Sequence, residues 1–318
     1  MRVLFIADIH IKVGQRNVPK EWQLQRYEEL GIELSQLSEK VDLVILGGDI
    51  FDDKPSTLEI DVYCKLIKDI KCKCIVIDGN HEASARGATW LTNLKLMSKL
   101  INDNVLILDE ACTYYGIQFL PYCKLKTQLE TLTPESNILI THVRGAIEPF
   151  VKPEVNLEHF DKWEVVFAGD LHSHSNSQRN IVYPGSPLTT SFHRKPVETG
   201  VIIFETSNPL EYEFVPLELP QLIRKTVESE AEIKKTQYDH TIYELKGSTV
   251  SLTGVEDSEL LDKKIFTKEN KAKLDLSKSP TLASEVALYC EKVLNLGDDE
   301  IEEIKNVLGQ EVDDNDRD

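Results

Sequence analysis

Residues 2–10 have the sequence RVLFIADIH, an apolar run that ends in an aspartate and a histidine. The run is rich in β-branched and aromatic residues, which predicts a buried strand over residues 2–7. Asp8 and His10 follow where that strand should end. Ligand sites in open α/β sheets lie beyond the carboxyl ends of the strands. The stretch therefore predicts a sheet and, at its edge, part of a site.

Four later stretches have the same build, an apolar strand candidate followed by side chains that bind metal ions. They are GGD (47–49), GNH (79–81), His142 after ILIT (138–141), and AGDLHSH (168–174). Each alone has an ordinary explanation, such as a tight turn, a left-handed asparagine or a core histidine. Chance placement of all five at successive strand ends is improbable, so we interpret them as one site.

The candidate ligands are two carboxylates, one amide and four imidazoles: Asp8, His10, Asp49, Asn80, His142, His172 and His174. Mixed nitrogen and oxygen donors without thiolate suit Mn²⁺, Fe or Zn²⁺. Seven side chains are too many for one octahedral ion that keeps a position open for water. Two ions that share a carboxylate fit better, and such a pair, about 3.5–4 Å apart, can clamp a phosphate and activate water. His159, His193 and His240 match no motif, and we interpret them as structural.

The motifs D-x-H, G-D-x-x-D, G-N-H-[DE], H and G-D/H-x-H-x-H resemble the signature of calcineurin-like metallophosphoesterases. The resemblance covers residues 1 to about 206. It implies an α/β fold in which two mixed β-sheets are sandwiched between helices, with a dinuclear centre. One ion would take Asp8, His10, Asp49 and His174. The other would take Asp49 as a bridge, Asn80, His142 and His172.

The resemblance also implies that His81 binds no metal, but protonates the leaving oxygen or stabilises its charge. The sequence departs from many members at two positions. Lys12 stands in place of a glycine, and Glu82 in place of an aspartate that is one methylene shorter. Neither change removes a ligand. If the Glu82 carboxylate orients a neighbouring group, the orientation of His81 could differ from that of its relatives.

A narrower resemblance links GDIFDDKPST (48–57), GNHE (79–82) and YPGSP (183–187) to the SbcD-type nuclease subunit of double-strand-break repair. The length of the chain makes it most similar to the bacteriophage recombination endonucleases. This resemblance implies a DNA exonuclease and endonuclease with two Mn²⁺ per chain, Mg²⁺ or other divalent ions being the alternative. It further implies a homodimer that acts with an SbcC-type, SMC-like ATPase.

Strand and helix candidates alternate in the first two-thirds of the chain, which argues for an α/β domain. Helices are expected at about 21–39, 57–70 and 88–101. We predict a nuclease domain (1–218), a small α+β capping domain (219–278) with a strand at 241–247, a helix pair (279–312) and an acidic tail (313–318). The helices of the pair are expected at about 281–294 and 298–309.

The resemblance assigns residues 281–309 to binding of the ATPase. Apolar residues at helical spacing support this role: Leu282, Val286, Tyr289 and Val293 in one helix, and Ile301, Ile304 and Leu308 in the other. A terminal hairpin that packs only on itself is the alternative.

The net charge of −18 argues against unspecific binding of nucleic acid. Contact with DNA would need a local basic patch, for which Lys12, Arg16, Arg144 and Arg194 are candidates; ordinary solvated surface charges are the alternative.

The N-terminal apolar run is too short for a signal peptide, and no run is long enough to cross a bilayer. Six scattered cysteines fit reduced thiols. A cytoplasmic location follows, in the host if a phage encodes the chain.

Two other functions compete with a DNA nuclease. A phosphomonoesterase or a small-molecule phosphodiesterase could use the same centre, and the acidic charge mildly favours it. The additional C-terminal segments argue against it, because a small substrate needs no helix pair for a partner. A non-catalytic scaffold should have lost metal ligands, and this sequence has lost none.

Overall fold

Two β-sheets and their flanking helices form the larger of two compact units, which comprises Met1–Leu245 and Val255–Lys263. The structure is a computed structural model that describes residues 1–84, 87–236, 238–247, 252, 255–256, 258, 260–265, 282–294 and 296–304. Its mixed sheets and helices confirm the predicted α/β class.

The strands are β1 (Arg2–Ile6), β2 (Leu43–Gly47), β3 (Lys73–Ile77), β4 (Ala83–Ser84), β5 (Ala88–Thr89), β6 (Val105–Ile107), β7 (Cys112–Tyr114), β8 (Ile117–Leu120), β9 (Ile138–His142), β10 (Val165–Gly169), β11 (Ile181–Val182), β12 (Gly200–Glu205), β13 (Asn208–Pro216), β14 (Leu222–Val227), β15 (His240–Gly247) and β16 (Leu261–Ile265). The helices are α1 (Lys20–Ser38), α2 (Thr57–Lys68), α3 (Lys95–Ile101), α4 (Tyr122–Gln128) and α5 (Leu282–Tyr289). Short 3₁₀ helices cover Trp90–Leu94, Leu157–Lys162, His174–Asn176 and Glu230–Glu232.

The first sheet has six strands in the order β13-β12-β1-β2-β3-β6. β1, β2, β3 and β6 run parallel, while β12 and β13 form an antiparallel hairpin at one side. Because β1, β2 and β3 are parallel neighbours, their carboxyl ends meet at one edge of the sheet. The loops that carry Asp8, Asp49 and Asn80 are therefore adjacent.

The second sheet has five strands in the order β11-β10-β9-β8-β7, and only β7 is antiparallel to its neighbour. β9 and β10 pair so that His142 lies opposite Gly169. The side chain of His142 and the loop after Gly169 therefore meet at one edge of this sheet as well.

Apolar side chains from alternate positions of the two sheets form the core between them. Phe5 of β1 lies 6.0 Å from Phe167 of β10 between ring centroids, and Phe167 stacks on Phe204 of β12 at 4.1 Å. The other face of the six-stranded sheet packs on α1 and α2, for example through Leu30 and Leu66. Both faces of the central strands are thus buried, which explains their continuous apolar sequences.

Helix α2 was expected to begin at about residue 57, and Ser56 is its N-cap residue. The backbone N–H of Glu59 donates to Ser56 Oγ (3.4 Å), and the N–H of Ser56 donates to the Glu59 carboxylate (2.7 Å). This reciprocal pair satisfies two free donors of the helix terminus. The same carboxylate accepts from the N–H of Val13 at 2.9 Å, so it also holds the loop after Asp8 and His10.

A small sheet has the strand order β14-β15-β16. β14, residues 240–245 of β15 and residues 261–263 of β16 belong to the same compact unit. Its middle strand, His240–Gly247, matches the strand predicted at 241–247. Arg194, which precedes β12, donates to the Glu244 carboxylate of β15 at 2.8 Å, and the indole N–H of Trp22 in α1 donates to the carbonyl of Tyr238 at 2.9 Å. The boundary between residues 218 and 219 stays a prediction.

The second compact unit comprises Lys246–Gly254 and Lys264–Asp318. Within it, α5 continues as a π-helical turn over Cys290–Leu294, and residues 298–304 are helical. Ala287, Cys290 and Ile301 are buried against one another. The ends of the predicted helix pair at 305–312 and the tail at 313–318 lie outside the described residues. No helix in the described part of the chain is long and apolar enough to cross a membrane.

Candidate metal centre

The buried carboxylate of Asp49 faces three imidazoles. Its Oδ2 atom lies 3.4 Å from Nε2 of His142, 3.6 Å from Nε2 of His10 and 3.8 Å from Nε2 of His81. Burial alone would raise the pKa of Asp49, but attraction to His142 and His10 holds this pKa well below its ordinary value. Asp49 is therefore an ionised carboxylate where the loops of both sheets meet.

Asp8, His10 and His172 form the first group around Asp49. Nε2 of His10 and Nε2 of His172 each lie 3.9 Å from Oδ1 of Asp8, and the two Nε2 atoms are 3.0 Å apart. All three side chains offer a ligand atom toward the same space. Burial and the nearby His10 lower the pKa of His172 to about 4, which leaves the neutral imidazole that binds metal.

Asn80, His142 and Asp170 form the second group around Asp49. Oδ1 of Asn80 lies 3.0 Å from Nε2 of His142, and the same oxygen position is 3.2 Å from Asp49 Oδ2 and 3.1 Å from Asp170 Oδ1. With the amide rotated by half a turn, its NH₂ group would donate to these atoms. In that orientation the amide is satisfied by hydrogen bonds to all three partners.

Two of the histidine side chains, His142 and His172, are oriented by hydrogen bonds at Nδ1. Nδ1 of His142 lies 3.0 Å from the carbonyl of Gly47, so it carries a proton and leaves Nε2 for a ligand. Nδ1 of His10 faces the Asp52 carboxylate at 3.5 Å, and Nδ1 of His172 faces Thr190 Oγ1 at 3.1 Å. Burial lowers the pKa of His142, but the carboxylates around it raise this pKa well above its ordinary value. A cation bound at Nε2 of His142 would displace the proton from that nitrogen.

The residue types therefore fit divalent metal ions. Imidazole and carboxylate ligands without thiolate suit first-row transition ions and Mg²⁺. Asp8, Asp49 and the imidazoles around them offer such ligand atoms in groups whose members lie within 4.8 Å of one another.

The backbone at the site is held in an uncommon conformation. Asp8, His10, Asp49 and Asp170 have φ angles of 58°, 47°, 49° and 102°. Such conformations cost on the order of 1–3 kcal/mol each and persist only where surrounding contacts enforce them. Gly79 makes room for one of these turns, since a Cβ there would lie 2.1 Å from Oδ1 of Asp49. The glycine of the GNH motif is thus a steric requirement of the site.

Six of the seven predicted ligands come together, and His174 is not in the ligand groups found among the described residues. Its Nδ1 donates to the carbonyl of Tyr183 at 2.6 Å, and its ring stacks on Phe214 at a centroid distance of 4.7 Å. The arrangement differs from the predicted one in a second respect. His172 joins Asp8 and His10, not Asn80 and His142.

Asp170 occupies the place beside Asn80 and His142. Its backbone N–H donates to both oxygens of Asp8 (3.0 and 3.1 Å), and this contact turns the chain so that residues 170 and 172 face the cluster. His174 then begins a 3₁₀ turn and packs away from it. The signal was present in the sequence as Gly-Asp-x-His at 169–172, where Asp170 and His172 have the spacing of a ligand pair.

His81 lies at the solvent side of the cluster, with 34% of its side chain exposed. Its backbone N–H donates to Asp49 Oδ1 at 3.0 Å, and its Nδ1 contacts the carbonyl oxygen of Asp52. The ring is thereby fixed with Nε2 toward the cluster and one edge open. This placement suits a group that meets a substrate.

Glu82 has a structural role that the sequence did not reveal. Its fully buried carboxylate accepts from the backbone N–H groups of Asp49 (3.0 Å), Phe51 (2.9 Å) and Gly79 (2.8 Å). Burial and the charge of Asp49 raise its pKa to about 8. The described contacts of this carboxylate thus join the two loops that carry Asp49 and Asn80, and do not orient the ring of His81.

Three of the four basic residues predicted to contact DNA are paired with carboxylates. Lys12 pairs with Asp52 (2.5 Å), Arg144 with Asp170 (3.2 Å) and Arg194 with Glu244 (2.8 Å). Arg16 is exposed.

A cavity of about 530 Å³ opens beside the cluster and is lined by residues of the loops after β10 and β11, among them Asp170, His172, Thr190 and His193. It is large enough to admit part of a substrate.

Comparison with known proteins finds the family described as calcineurin-like phosphoesterase over residues 1–204. The chain is 38% identical over 316 residues to the probable exonuclease subunit 1 of Escherichia phage T5, which covers 96% of each protein. It is 24% identical to the putative phosphoesterase 244L of Invertebrate iridescent virus 6, over 65% of this chain and 77% of the relative. It is 25% identical to the DNA double-strand break repair protein Mre11 of Halobacterium salinarum, over 64% of this chain and 57% of the relative.

Proposed function

Because the chain belongs to the calcineurin-like phosphoesterase family, we propose that this phosphoesterase is a DNA nuclease that hydrolyses phosphodiester bonds as exonuclease and endonuclease. The observation that carries the proposal is the Asp49 carboxylate, which faces imidazoles from both sheets. Similarity over nearly the whole chain to a protein named as an exonuclease subunit supports DNA as the substrate. The enzyme would act in the cytoplasm, that of the host if a phage encodes it.

In this proposal, the side chains around Asp49 would hold two Mn²⁺ ions, with Mg²⁺ as the alternative. Asp8, His10 and His172 would hold one ion, and Asn80 and His142 would contribute to the other. Bound ions would supply Lewis-acid stabilisation of the phosphate and activate water. His81 would protonate the leaving oxygen from Nε2, since its Nδ1 is engaged by the Asp52 carbonyl.

The experiment is degradation of end-labelled linear duplex DNA in the presence of Mn²⁺. We expect cleavage by the wild type, none by Asp49→Ala, and none by His81→Ala although that variant keeps its metal. His159→Ala is the matched control, because His159 lies outside the site, and it should cleave as the wild type does. Cleavage that survives Asp49→Ala would overturn the proposal.

A phosphomonoesterase or small-molecule phosphodiesterase is the second candidate. It is favoured by the carboxylate partners of Lys12, Arg144 and Arg194, which reduce the positive charge available to a DNA backbone. Nitrophenyl phosphate monoesters and diesters, assayed beside duplex DNA, separate the two. Faster hydrolysis of the monoester than of DNA would favour this candidate.

We further propose that residues 281–309 bind an SbcC-type ATPase. Val286, Ile301 and Ile304 contribute to packing of the helices on each other, but Tyr289 and Leu294 are 47% and 52% exposed. These two side chains offer apolar surface to a partner. Leu294→Asp should weaken co-purification with the ATPase, while the exposed control Glu302→Ala should not. Equal recovery of the ATPase with both variants would count against this surface.

A homodimer is proposed from α3, where Leu96 and Leu100 are 71% and 78% exposed, one helical turn apart. Two such residues on one face favour contact with an equivalent face. Leu100→Glu should shift the sedimentation coefficient to that of a monomer. Lys99→Glu, on the neighbouring exposed position, is the control and should remain dimeric.

A further inference from the structure

Phe150 is the most exposed of the large apolar residues in the described part of the chain, at 84%. It lies in the loop that follows β9, the strand that ends in His142. The backbone N–H of Phe150 donates to the carbonyl of Ile147 at 2.7 Å. Such a bond closes a four-residue turn whose end Cα atoms lie within about 7 Å of each other. Ile147 lines the cavity beside the metal cluster, so Phe150 lies one turn away from the wall of that cavity.

The turn that carries Phe150 is held in place by the residues at its base. Ile147 and Val151 exchange two backbone hydrogen bonds, of 2.9 and 2.7 Å. The side-chain amide of Gln178, in the loop after β10, accepts from the N–H of Ala146 at 2.9 Å and donates to its carbonyl at 3.1 Å. The fold therefore fixes an apolar ring in solvent, where the ring adds no burial to the free protein.

The neighbours of Phe150 indicate what kind of ligand would cover its ring. Glu148 and Lys152 flank it in sequence, and both are exposed. These charged side chains interrupt any wide apolar patch of the kind that protein partners bind. A nucleobase needs no such patch, because it stacks on a single aromatic ring while its phosphates stay in contact with polar groups. An isolated ring beside a cavity that reaches the metal cluster therefore suits a nucleic acid strand.

We propose that Phe150 stacks on a nucleobase of the DNA strand whose phosphate lies at the metal cluster. The inference rests on the proposed function, because it requires a nucleic acid as the substrate. A base can stack on a side chain only where one of its faces is free, as in a single strand or at a strand end. Every base has such a face, so the contact would add affinity for unpaired nucleotides without selecting a sequence.

The test is binding of a fluorescently labelled single strand to the protein loaded with Mn²⁺. Phosphorothioate linkages in the strand resist hydrolysis, so that fluorescence anisotropy reports binding alone. Phe150→Ala should raise the Kd by about tenfold, and Phe150→Trp should bind at least as tightly as the wild type. Tyr115→Ala is the matched control. Tyr115 is 53% exposed in the turn before β8, at the sheet edge opposite His142, and its loss should leave the Kd unchanged.

A strand of abasic residues separates stacking from other causes of weaker binding. Wild type and Phe150→Ala should bind this strand with equal Kd, because it has no base to stack. An equal loss of affinity on the normal and the abasic strand would overturn the inference. Thermal unfolding checks that Phe150→Ala is folded, and its midpoint should match that of the wild type since the replaced side chain is exposed.

The remaining outcomes separate this inference from the proposed function. If the wild type cleaves DNA and Phe150→Ala binds the normal strand as tightly as the wild type does, the inference falls and the proposed function stands. If the wild type neither binds nor cleaves DNA, the proposed function falls and the inference falls with it. If Phe150→Ala binds DNA normally but no longer co-purifies with the ATPase, the ring belongs to a protein interface, which also overturns the inference.

Discussion

Nε2 of His142 lies 3.4 Å from Oδ2 of Asp49. His142 is the last residue of β9 in the five-stranded sheet, and Asp49 follows β2 in the six-stranded sheet. The contact thus spans the interface between the two sheets, and the core between them fixes its geometry. Asp49 lies beside both groups of candidate ligands.

Asp49→Asn should abolish phosphodiester hydrolysis with little change in shape. The substitution removes the negative charge that both groups share, so we expect fewer than two bound ions and a rate at least about 10³-fold lower. Elemental analysis of the purified protein and a cleavage assay measure the two effects. Full activity with reduced metal content would contradict a shared role for Asp49.

His81→Gln should slow cleavage of DNA by about 10²–10⁴-fold, as expected for loss of a general acid. The metal content should not change, because His81 lies at the open side of the cluster. The loss should be much smaller with a nitrophenyl ester, whose leaving group needs no proton. Equal losses on the two substrates would show that His81 acts by another route.

Glu82→Ala should destabilise the protein by about 3 kcal/mol or more. It leaves three buried N–H groups, those of Asp49, Phe51 and Gly79, without their acceptor, and each such group costs about 1–3 kcal/mol. Glu82→Gln retains one oxygen and should lose less. Urea denaturation gives the free energies of unfolding. The exposed Glu130→Gln is the control, and an equal effect there would contradict the role of Glu82.

Arg194→Ala should lower the free energy of unfolding. It should also make this free energy depend less on pH in the acid range. The hydrogen bond from Arg194 comes first among the contacts that lower the pKa of Glu244. The unfolded chain, with an ordinary value of 4.5, therefore takes up a proton before the folded one does. Stability from this pair is present above pH 4.5 and is lost as the pH falls through the folded pKa. Since Arg194 is 60% exposed, we expect a loss of about 1 kcal/mol at neutral pH.

Unfolding of wild type and Arg194→Ala, measured from neutral pH down to the acid transition, tests this prediction. The two curves should converge as Glu244 becomes protonated. A constant difference at every pH would exclude the ion pair as the cause. Weaker DNA binding with unchanged stability would instead assign Arg194 to substrate.

Strands of the six-stranded sheet could be predicted from sequence because they are buried on both faces. The strand predicted over residues 2–7 is β1 (Arg2–Ile6). Helix α4 (Tyr122–Gln128) was not predicted, since it is only seven residues long and has no side-chain cap. The helix expected at 88–101 is divided, because a short strand and a 3₁₀ turn precede α3.

The site could be located from sequence, but not assigned in full. Strand ends bring Asp8, Asp49 and His142 together by topology alone, and topology can be predicted. The choice between His172 and His174 depends on the loop conformation after β10, where Asp170 adopts a φ of 102° and binds Asp8. That contact joins residues distant in sequence, so local spacing alone does not determine it. The contacts of Glu82 were missed for the same reason.

The order of the strands in the six-stranded sheet also has a consequence for synthesis of the chain. β1 lies between β2 and β12, so its second neighbour emerges from the ribosome only when residues 200–205 are made. The candidate ligands His142 and His172 likewise follow long after Asp8 in the sequence. A nascent chain therefore carries an incomplete set of ligands until most of the catalytic domain has been translated. Hydrolysis that depends on these side chains therefore requires at least the first 172 of the 318 residues.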